Sequence, residues 1–370
     1  MILAYIRDRI PEDLDSHQFA HQANRSPEDA VSITLHTALS PLEYPNTYVR
    51  MLFVDFSSAF NTTIPHNLVL KLIHLGLPTS LCLWILDFVS NRPQNVRVGD
   101  LTSSTITLNT GAPQGCVLSP ALYTLFTNDC VPIQSSNTII KWADETTLVW
   151  LISDNKECHY RQEVQHMAEW CVDNNLVLNT TKTNEILVDF RRSKRTTQTP
   201  LPINGEEVER VDSVKLLGTY NYKDITWATN ISNLVKRAQK RLFFLLKLKQ
   251  AGLSSHLLIH FYRSTIESIL CQGCSVWYAG CTAESRRDLA RVVRSAIKII
   301  GAELPDRDSV CADRLKRKAR SISTGKTHPG DTLLVPLPSG ERYRTLRART
   351  TRLRNSFSPR AVASITPPTP

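Results

Sequence analysis

The stretch Gly111-Ala-Pro-Gln-Gly-Cys-Val-Leu-Ser-Pro120 decides how the rest of this chain is interpreted. Two acidic positions flank it, each at the end of an apolar run. Upstream, Met51-Leu-Phe-Val54 leads into Asp55, and downstream Ile139-Ile-Lys-Trp-Ala143 leads into Asp144-Glu145. Short apolar runs of this kind indicate buried strands. The sequence therefore predicts two strands that end in carboxylates, with a glycine-bordered loop between them along the chain.

The two carboxylates suit a reaction that needs two divalent cations. Nucleotidyl transfer uses two such ions about 4 Å apart, and Mg²⁺ prefers hard oxygen ligands. Asp55 and Asp144 are 89 residues apart (144 − 55), so only a sheet can bring them together. Either aspartate taken alone is more simply an ordinary turn residue, and that alternative stays open here.

The loop between them strengthens the two-cation interpretation. Gly111 and Gly115 let the backbone approach a substrate closely, and Gln114 offers both a donor and an acceptor. A lone Pro-Gln-Gly would mean little. Three segments in this order are far more specific, and they are listed here: Asp55-Phe-Ser-Ser-Ala-Phe-Asn-Thr62, Gly111–Pro120 and Ala143-Asp-Glu-Thr-Thr147.

The positive charge of the chain is concentrated near its C-terminus. The 370 residues carry a net charge of +10, and the segment 313–360 alone holds 13 Lys/Arg and three Asp/Glu, or 13 − 3 = +10. Such a block indicates a polyanionic partner, most simply nucleic acid. The alternative is a solvated basic tail with no ligand.

Composition excludes several classes of protein. A hydrophobic content of 42% and a charged content of 21% are those of a globular chain. The first residues lack a basic n-region, and no run of about 18 apolar residues occurs, so neither a signal peptide nor a membrane span is expected. Nine scattered cysteines favour a reducing compartment. We therefore expect an intracellular protein, nuclear or cytoplasmic and not secreted.

Periodicity predicts a mixed chain that becomes helical toward its end. Strands are expected at 48–55, at 185–190 and in a hairpin at 138–151, with Asp144-Glu145 in its turn. From Ile231 onward the pattern is helical, with Leu234, Ala238, Leu242 and Leu245 on one face and cations around it. The last 60 or so residues have no clear core.

With these motifs in place, the chain closely resembles the reverse transcriptases of LINE-type (non-LTR) retrotransposons over nearly its whole length. The resemblance implies an α+β fold: a right-hand polymerase palm, built as an antiparallel sheet with packed helices, then a helical thumb and a basic tail. It also implies four segments, listed here: remnant fingers and palm entry at 1–47, palm with a fingers insertion at 48–200, connection and thumb at 201–305, and basic tail at 306–370.

The resemblance also implies roles for individual residues in RNA-directed DNA polymerisation. Asp55 and Asp144 would hold two Mg²⁺ ions, with Glu145 as a third carboxylate, and Lys182 would assist the leaving pyrophosphate. Phe60 would sense the sugar, and Gln114 and Gly115 would contact the nucleotide. The implied partners are an RNA template, a DNA primer and deoxynucleoside triphosphates, with no membrane. The expected nucleic-acid-binding residues are Lys236, Arg237, Lys240, Arg241, Arg342, Arg344, Arg347 and Arg349.

Two departures from the family pattern predict impaired catalysis. Glu145 stands where the family has a second aspartate, and one methylene moves a carboxylate by about 1.5 Å, whereas metal sites tolerate about 0.2 Å. The fingers segment that normally precedes Gln18, and the endonuclease domain, are not within these residues, so we expect an N-terminally truncated copy. The rival prediction is an inactive nucleic-acid-binding remnant, and a third possibility is an unstable fragment.

Two further interpretations, a dioxygenase-related function and a zinc site, can be tested against the sequence. The region 175–300 also resembles a segment found ahead of AlkB-type dioxygenase modules, but iron in such enzymes needs a His-x-Asp pair, and none of the ten histidines is followed by Asp two residues later. Methyltransferase or dioxygenase chemistry is therefore not expected. Cys271, Cys274 and Cys281 could suggest zinc, although buried core cysteines are the better interpretation.

Overall fold

The computed structural model describes residues 2–11, 14–134, 136–191, 199–325, 328–338 and 342–366. The chain divides into two compact units. The first unit contains Met1–Ala30, Asn46–Leu187 and Arg191–Val211, and the second contains Val31–Pro45, Val188–Phe190 and Asp212–Pro370.

Helices and strands occur in both units. The α-helices are α1 (Ile2–Arg7), α2 (Pro27–Leu39), α3 (Ala59–Thr62), α4 (Pro65–His74), α5 (Thr79–Val89), α6 (Leu118–Phe126), α7 (Cys158–Asp173), α8 (Ala228–Gln250), α9 (Ser255–Tyr262), α10 (Ser268–Leu270), α11 (Cys274–Trp277), α12 (Ala283–Ile300), α13 (Arg307–Thr324), α14 (Thr351–Arg354) and α15 (Phe357–Ile365). The strands are β1 (Thr47–Val54), β2 (Phe56–Ser57), β3 (Arg92–Gln94), β4 (Arg97–Val98), β5 (Leu101–Thr102), β6 (Ile106–Leu108), β7 (Thr138–Trp142), β8 (Glu145–Ser153), β9 (Val177–Leu178), β10 (Asn184–Val188), β11 (Pro202–Ile203), β12 (Glu206–Glu207), β13 (Glu209–Arg210), β14 (Ser213–Leu216) and β15 (Thr219–Tyr222).

The first unit is built on a five-stranded sheet in the order β13-β10-β1-β8-β7. All eight residues of β1 are buried, as its nearly continuous apolar run predicts. Strands β1, β8 and β7 pair antiparallel, and their register places Val54 opposite Thr146. The edge pair of β10 with β13 is parallel. The predicted α+β fold with packed helices is confirmed, and its sheet is antiparallel through the three strands nearest the carboxylates.

The core of this unit joins the sheet to the helices that follow β1. Leu52 of β1 and Trp150 of β8 belong to the same buried cluster as Leu72 of α4, Ile85 of α5 and Phe126 of α6. Pro65 occupies the first turn of α4, where its missing N–H is not needed. These helices therefore pack against the sheet that contains β1.

One charged residue interrupts the apolar run of β1. Arg50 is completely buried and lies 3.5 Å from Glu157 and 3.6 Å from Glu185. Its guanidinium also lies over the ring of Tyr160, 5.0 Å from the centroid. Because a buried cation is tolerated only when paired, these two carboxylates fix β1 against α7 and β10.

The second unit is mainly helical, as the sequence predicts. The buried face of α8 includes Leu234, Ala238 and Leu245, whereas Leu242 is only half-buried. Cys271 and Cys274 are buried near Cys311 of α13, in agreement with the core interpretation of the first two. In the described part of the chain, no helix combines the length and apolar character needed to cross a membrane.

The expectation that the basic C-terminal segment has no clear core is wrong. Leu315 and Ile322 of α13 pack in one cluster with Phe357 and Val362 of α15. Asp306 caps α13 by accepting hydrogen bonds from the N–H groups of Asp308 and Ser309. The apolar positions of α13 are spaced three or four residues apart but separated by arginines and lysines, so the charge obscured an ordinary amphipathic helix.

Candidate active site

Asp55 lies directly after β1, with its backbone fixed from both sides. Its carbonyl accepts a hydrogen bond from the N–H of Asn179 at 2.9 Å, and its N–H donates to the Thr183 hydroxyl at 3.4 Å. Strand β2, which follows, pairs with β9. The segment 177–183 therefore holds the end of β1 in place while the carboxylate itself stays partly exposed.

Asp144 lies in a two-residue turn between β7 and β8. Trp142 pairs with Glu145 across this hairpin, and Ala143 has a φ of 54°, in the left-handed region that L-residues seldom occupy. Both residues of the predicted acidic pair were expected in the turn. That placement is wrong for Glu145, which is the exposed first residue of β8, because Ala143 and Asp144 alone complete the two-residue loop.

The register brings the two aspartates to the same edge of the sheet. Val54 pairs with Thr146, so Asp55 follows β1 at the level of Glu145, and Asp144 is the next residue along the hairpin. Neighbouring strands lie about 4.8 Å apart. Residues 89 positions apart in sequence are thus neighbours at one sheet edge, and their role as ligands stays a prediction.

Gln18 holds the turn in place and was not identified as a site residue. It is fully buried, and its Oε1 accepts hydrogen bonds from the N–H of Ala143 at 3.2 Å and of Ala20 at 3.0 Å. The chain around it forms a parallel bridge to Lys141 of β7. Lys141 is itself buried and ion-paired with Asp15 at 2.7 Å. The neighbouring sequence, Ser16-His-Gln-Phe-Ala-His21, gives no local signal that Gln18 is buried, and its partner lies 125 residues away.

Lys182 forms a loose ion pair with the first aspartate. Its Nζ lies 3.5 Å from Asp55 Oδ2, and the two side chains are 70% and 37% exposed. Exposed ion pairs of this kind contribute about 0.2–1 kcal/mol. A bound phosphate or cation could therefore displace Lys182 from Asp55 at little energetic cost.

The carboxylates fit a hard cation on one structural criterion. Asp55 Oδ2, the oxygen that Lys182 Nζ approaches to 3.5 Å, is buried and accepts no hydrogen bond from the described residues. A buried carboxylate oxygen in this condition is costly unless a further group binds it. Among the described residues, no group of three or more His, Cys, Asp or Glu side chains is placed to hold a metal ion. Two carboxylates with substrate phosphates and water are nevertheless a normal ligand set for Mg²⁺.

The glycine-bordered loop packs on the segment after β2. Gly111 donates its N–H to the carbonyl of Thr63 at 2.7 Å, and Ala112 donates to that of Phe60 at 2.9 Å. A Cβ on Gly111, whose φ is +76°, would lie only 2.6 Å from backbone atoms of Asn61 and Phe60. This glycine therefore allows a close approach to the chain's own backbone, and its predicted approach to a substrate stays a prediction. Gly115, with a φ of +82°, faces open space.

Two predicted nucleotide-contacting residues lie on either side of this contact. Gln114 is exposed at the loop surface and donates a hydrogen bond to the Asn61 side chain at 3.0 Å. The half-buried ring of Phe60 packs against Tyr123, with centroids 4.6 Å apart. Burial, and then the charge of Asp144, raise the pKa of the Tyr123 phenol. Tyr123 is thus a neighbour of the site that the sequence did not reveal, since a tyrosine in an apolar helix suggests only core packing.

The predicted nucleic-acid-binding cations of the second unit lie on an unusually basic helix. Helix α8 carries no acidic residue and six exposed cations, which are Lys236, Arg237, Lys240, Arg241, Lys247 and Lys249. Phe243 is 56% exposed between them and lies 5.6 Å from Lys247 Nζ. The spacing of Lys236, Lys240, Phe243 and Lys247 places them in one stripe on the solvent side of the helix.

The predicted cations of the C-terminal segment are also accessible. Arg342 is half-buried, whereas Arg344, Arg347 and Arg349 are exposed. The Thr350 hydroxyl and the backbone N–H groups of Arg349 and Thr350 donate hydrogen bonds to the Glu43 carboxylate. Burial raises the pKa of that carboxyl, but these hydrogen bonds, the Thr350 hydroxyl first, and the charge of Arg349 outweigh it and hold the pKa below its usual range. These contacts fix the chain while leaving the guanidinium groups in solvent.

Comparison with known proteins adds independent information. Residues 227–268 match the family described as alkylated DNA repair protein alkB homolog 8, N-terminal. This short segment contains neither Asp55 nor Asp144. Similar proteins include the "Probable RNA-directed DNA polymerase from transposon X-element" and the "RNA-directed DNA polymerase from mobile element jockey", both of Drosophila melanogaster. Each is 23% identical over 303 residues, which cover 78% and 77% of this chain and 32% of each relative.

The chain therefore spans about a third of the length of these curated relatives. A telomerase structure from Candida albicans aligns with a TM-score of 0.39 and 14% identity, covering 87% of this chain and 53% of that one. Residues 2–220, more than half of the chain, match the family model described as reverse transcriptase (RNA-dependent DNA polymerase). The motifs and this match agree, and the chain belongs to the reverse transcriptase family.

Proposed function

We propose that this chain is the polymerase part of a LINE-type reverse transcriptase and catalyses RNA-directed DNA polymerisation. The observation that carries the proposal is the meeting of Asp55 and Asp144 at one sheet edge, with an oxygen of Asp55 that accepts no hydrogen bond from the described residues. Membership of the reverse transcriptase family supports it. The template would be RNA, the primer DNA, and the substrates deoxynucleoside triphosphates.

Asp55 and Asp144 would hold two Mg²⁺ ions, with Glu145 as a weaker third carboxylate. Bound magnesium would favour deprotonation of the primer 3′-hydroxyl and neutralise charge that develops on the phosphates. Asp55 can move from Lys182 to a cation because their ion pair is long and exposed. The backbone contacts of Asp55 and the hydrogen bond from Ala143 to Gln18 keep both carboxylates in position.

Other residues of the first unit would bind the incoming nucleotide. Lys182, once released from Asp55, would neutralise or protonate the leaving pyrophosphate. Phe60 would pack beside the sugar from its place against Tyr123. Gln114 and Gly115 would contact the nucleotide from the exposed surface of the loop, where the Gln114 side chain is held by Asn61.

The cations of the second unit would bind the nucleic-acid backbone. Those of α8 and of the segment 342–349 are accessible and largely unopposed by acidic residues on their own elements. We keep the segment assignment predicted from the resemblance: remnant fingers and palm entry at 1–47, palm with a fingers insertion at 48–200, connection and helical thumb at 201–305, and basic C-terminal tail at 306–370. Residues 192–198, at the end of the palm assignment, lie outside the described residues.

A primer-extension assay on an RNA template with Mg²⁺ tests the proposal. We expect extension by the wild type that is abolished by Asp55→Asn and by Asp144→Ala. Glu145→Asp should maintain or raise the rate, since it restores the family's residue at that position. Extension that persists in Asp144→Ala would overturn the assignment of the site.

The second candidate, an inactive nucleic-acid-binding remnant, is favoured by the six exposed cations of α8, a helix that contains no acidic residue. In that case no extension would be seen, while RNA binding would weaken steeply with salt. Measuring both properties on one preparation separates the candidates, because binding without Mg²⁺-dependent extension supports the remnant and both together support the polymerase.

A further inference from the structure

Two histidines of α9 lie side by side on the surface of the second unit. His256 and His260 are four residues apart, so they occupy one face of the helix on successive turns. Their Nε2 atoms are 3.1 Å apart, and their ring centroids are 4.5 Å apart at an interplanar angle of 74°. Both residues are exposed, so packing against other side chains does not force the two nitrogens together.

The distance between the two Nε2 atoms matches that between two nitrogen ligands of one metal ion. With metal–nitrogen bonds of about 2.0–2.1 Å, two nitrogens 3.1 Å apart subtend an angle of about 95–102° at the metal. That value lies between the roughly 90° of square-planar or octahedral sites and the roughly 109° of tetrahedral sites. A metal could therefore bind both nitrogens at their present separation, after the rings rotate to point both lone pairs at it.

The same separation also suits a hydrogen bond from one ring to the other, and the two states can interconvert. In the metal-free pair, one Nε2 carries a proton that it donates to the lone pair of the other. On metal binding, that proton would move to Nδ1 of its own ring through solvent. Both Nε2 lone pairs would then face the metal, with no net change in protonation.

We propose that His256 and His260 form a two-point chelate for a divalent transition-metal ion such as Cu²⁺, Ni²⁺ or Zn²⁺. Imidazole nitrogen suits these ions, whereas Mg²⁺ prefers oxygen, so the site is distinct in chemistry from the carboxylate pair. Among the described residues, no third His, Cys, Asp or Glu completes a cluster, and water would fill the remaining positions. The affinity order expected is Cu²⁺ above Ni²⁺ and Zn²⁺.

Calorimetric titration of the full chain with each chloride salt tests the chelate. We expect one equivalent of Cu²⁺, Ni²⁺ or Zn²⁺ to bind at this site and Mg²⁺ not to bind there. His256→Gln and His260→Gln should each weaken that binding at least tenfold. His74→Gln is the matched control, since His74 is also an exposed helical histidine but has no second histidine three or four residues away.

Two readouts on the wild type keep the test decisive if a variant folds poorly. At a metal concentration about 100 times Kd, the unfolding equilibrium constant should fall about 100-fold. Electron paramagnetic resonance of the Cu²⁺ complex should report two nitrogen ligands. Sulfur ligation, which exposed Cys158 could supply, or unchanged affinity in either histidine variant, would overturn the proposal.

Discussion

Replacing Gly111 with alanine should destabilise the first unit more than the same replacement at Gly115. The two glycines bound one loop and have similar backbone angles, with φ of +76° and +82°. They differ in what an added Cβ would meet. At Gly111 it would lie 2.6 Å from Asn61 Cα and from the Phe60 carbonyl oxygen, whereas at Gly115 no described atom beyond the adjacent residues lies within 4 Å.

The size of the difference follows from two contributions: the cost of the left-handed backbone conformation and the cost of the steric clash of the added Cβ. A non-glycine residue in the left-handed region costs about 1–2 kcal/mol, and this cost applies to both variants. Backbone atoms cannot rotate away as a side chain would, so Gly111→Ala must also move the loop off the segment 60–63. Displacements of this kind cost about 1–3 kcal/mol more. Adding these two costs, we expect destabilisation of about 2–5 kcal/mol at Gly111 and about 1–2 kcal/mol at Gly115.

Urea denaturation of the two variants and the wild type, followed by circular dichroism, measures the difference. The displaced loop should also lose the hydrogen bond between Gln114 and Asn61, so primer extension by Gly111→Ala should fall at temperatures where the protein is still folded. Equal destabilisation of the two variants would show that backbone angle alone matters and that the loop does not rest on the segment after β2.

Three further predictions follow from individual contacts. Gln18→Leu leaves the N–H of Ala143 without its acceptor, so we expect a loss of about 1–3 kcal/mol in urea denaturation and slower primer extension; unchanged extension would mean that the turn keeps its shape unaided. Burial lowers the pKa of His36, so the unfolded chain binds the proton more readily, and the free energy of unfolding should fall as pH drops below about 6.5, by less than about 1.4 kcal/mol per pH unit. His36→Gln should remove that part of the pH dependence. Identical profiles of unfolding free energy against pH for the two proteins would refute the role of His36. On α8, Lys240→Ala should reduce the salt slope of RNA binding by about 1, whereas Phe243→Ala should weaken binding with the slope unchanged. Fluorescence anisotropy over a salt series checks both, and unchanged affinity for Phe243→Ala would mean that the ring does not contact bases.

The features that the sequence predicts best are those that repeat along the chain. Strand β1 is recognisable in the sequence because a nearly continuous apolar run of this length is typical of a strand covered on both faces. All its residues are buried in the structure. The β7–β8 hairpin follows from two apolar runs that are separated by a short polar turn. The edge on which Asp55 and Asp144 meet could be inferred because both aspartates directly end such a run.

The features that the sequence could not predict depend on single contacts between distant residues. Gln18 reaches a turn 125 positions away, and Arg50 finds its carboxylates only after α7 and β10 have packed against β1. No local period marks such pairs, because each polar residue resembles one that faces solvent. The core cluster around Leu315 was not predicted for a different reason. Its helix does have a local apolar period, but closely spaced arginines and lysines separate the apolar residues in the sequence.

The carboxylate site combines a fixed backbone with weakly held side chains, and this combination supports the proposed polymerase. The main chain at Asp55 is bound by Asn179 and Thr183, and the turn at Asp144 is bound through Gln18. In contrast, among the described residues Asp55 Oδ2 has a long ion pair to the exposed side chain of Lys182 and no hydrogen bond. A carboxylate placed for stability alone would be expected to use a fixed backbone to satisfy its buried oxygen. The position therefore fits a ligand better than a purely structural role, because the fold determines where the oxygens lie and leaves their coordination to a cation and its substrate.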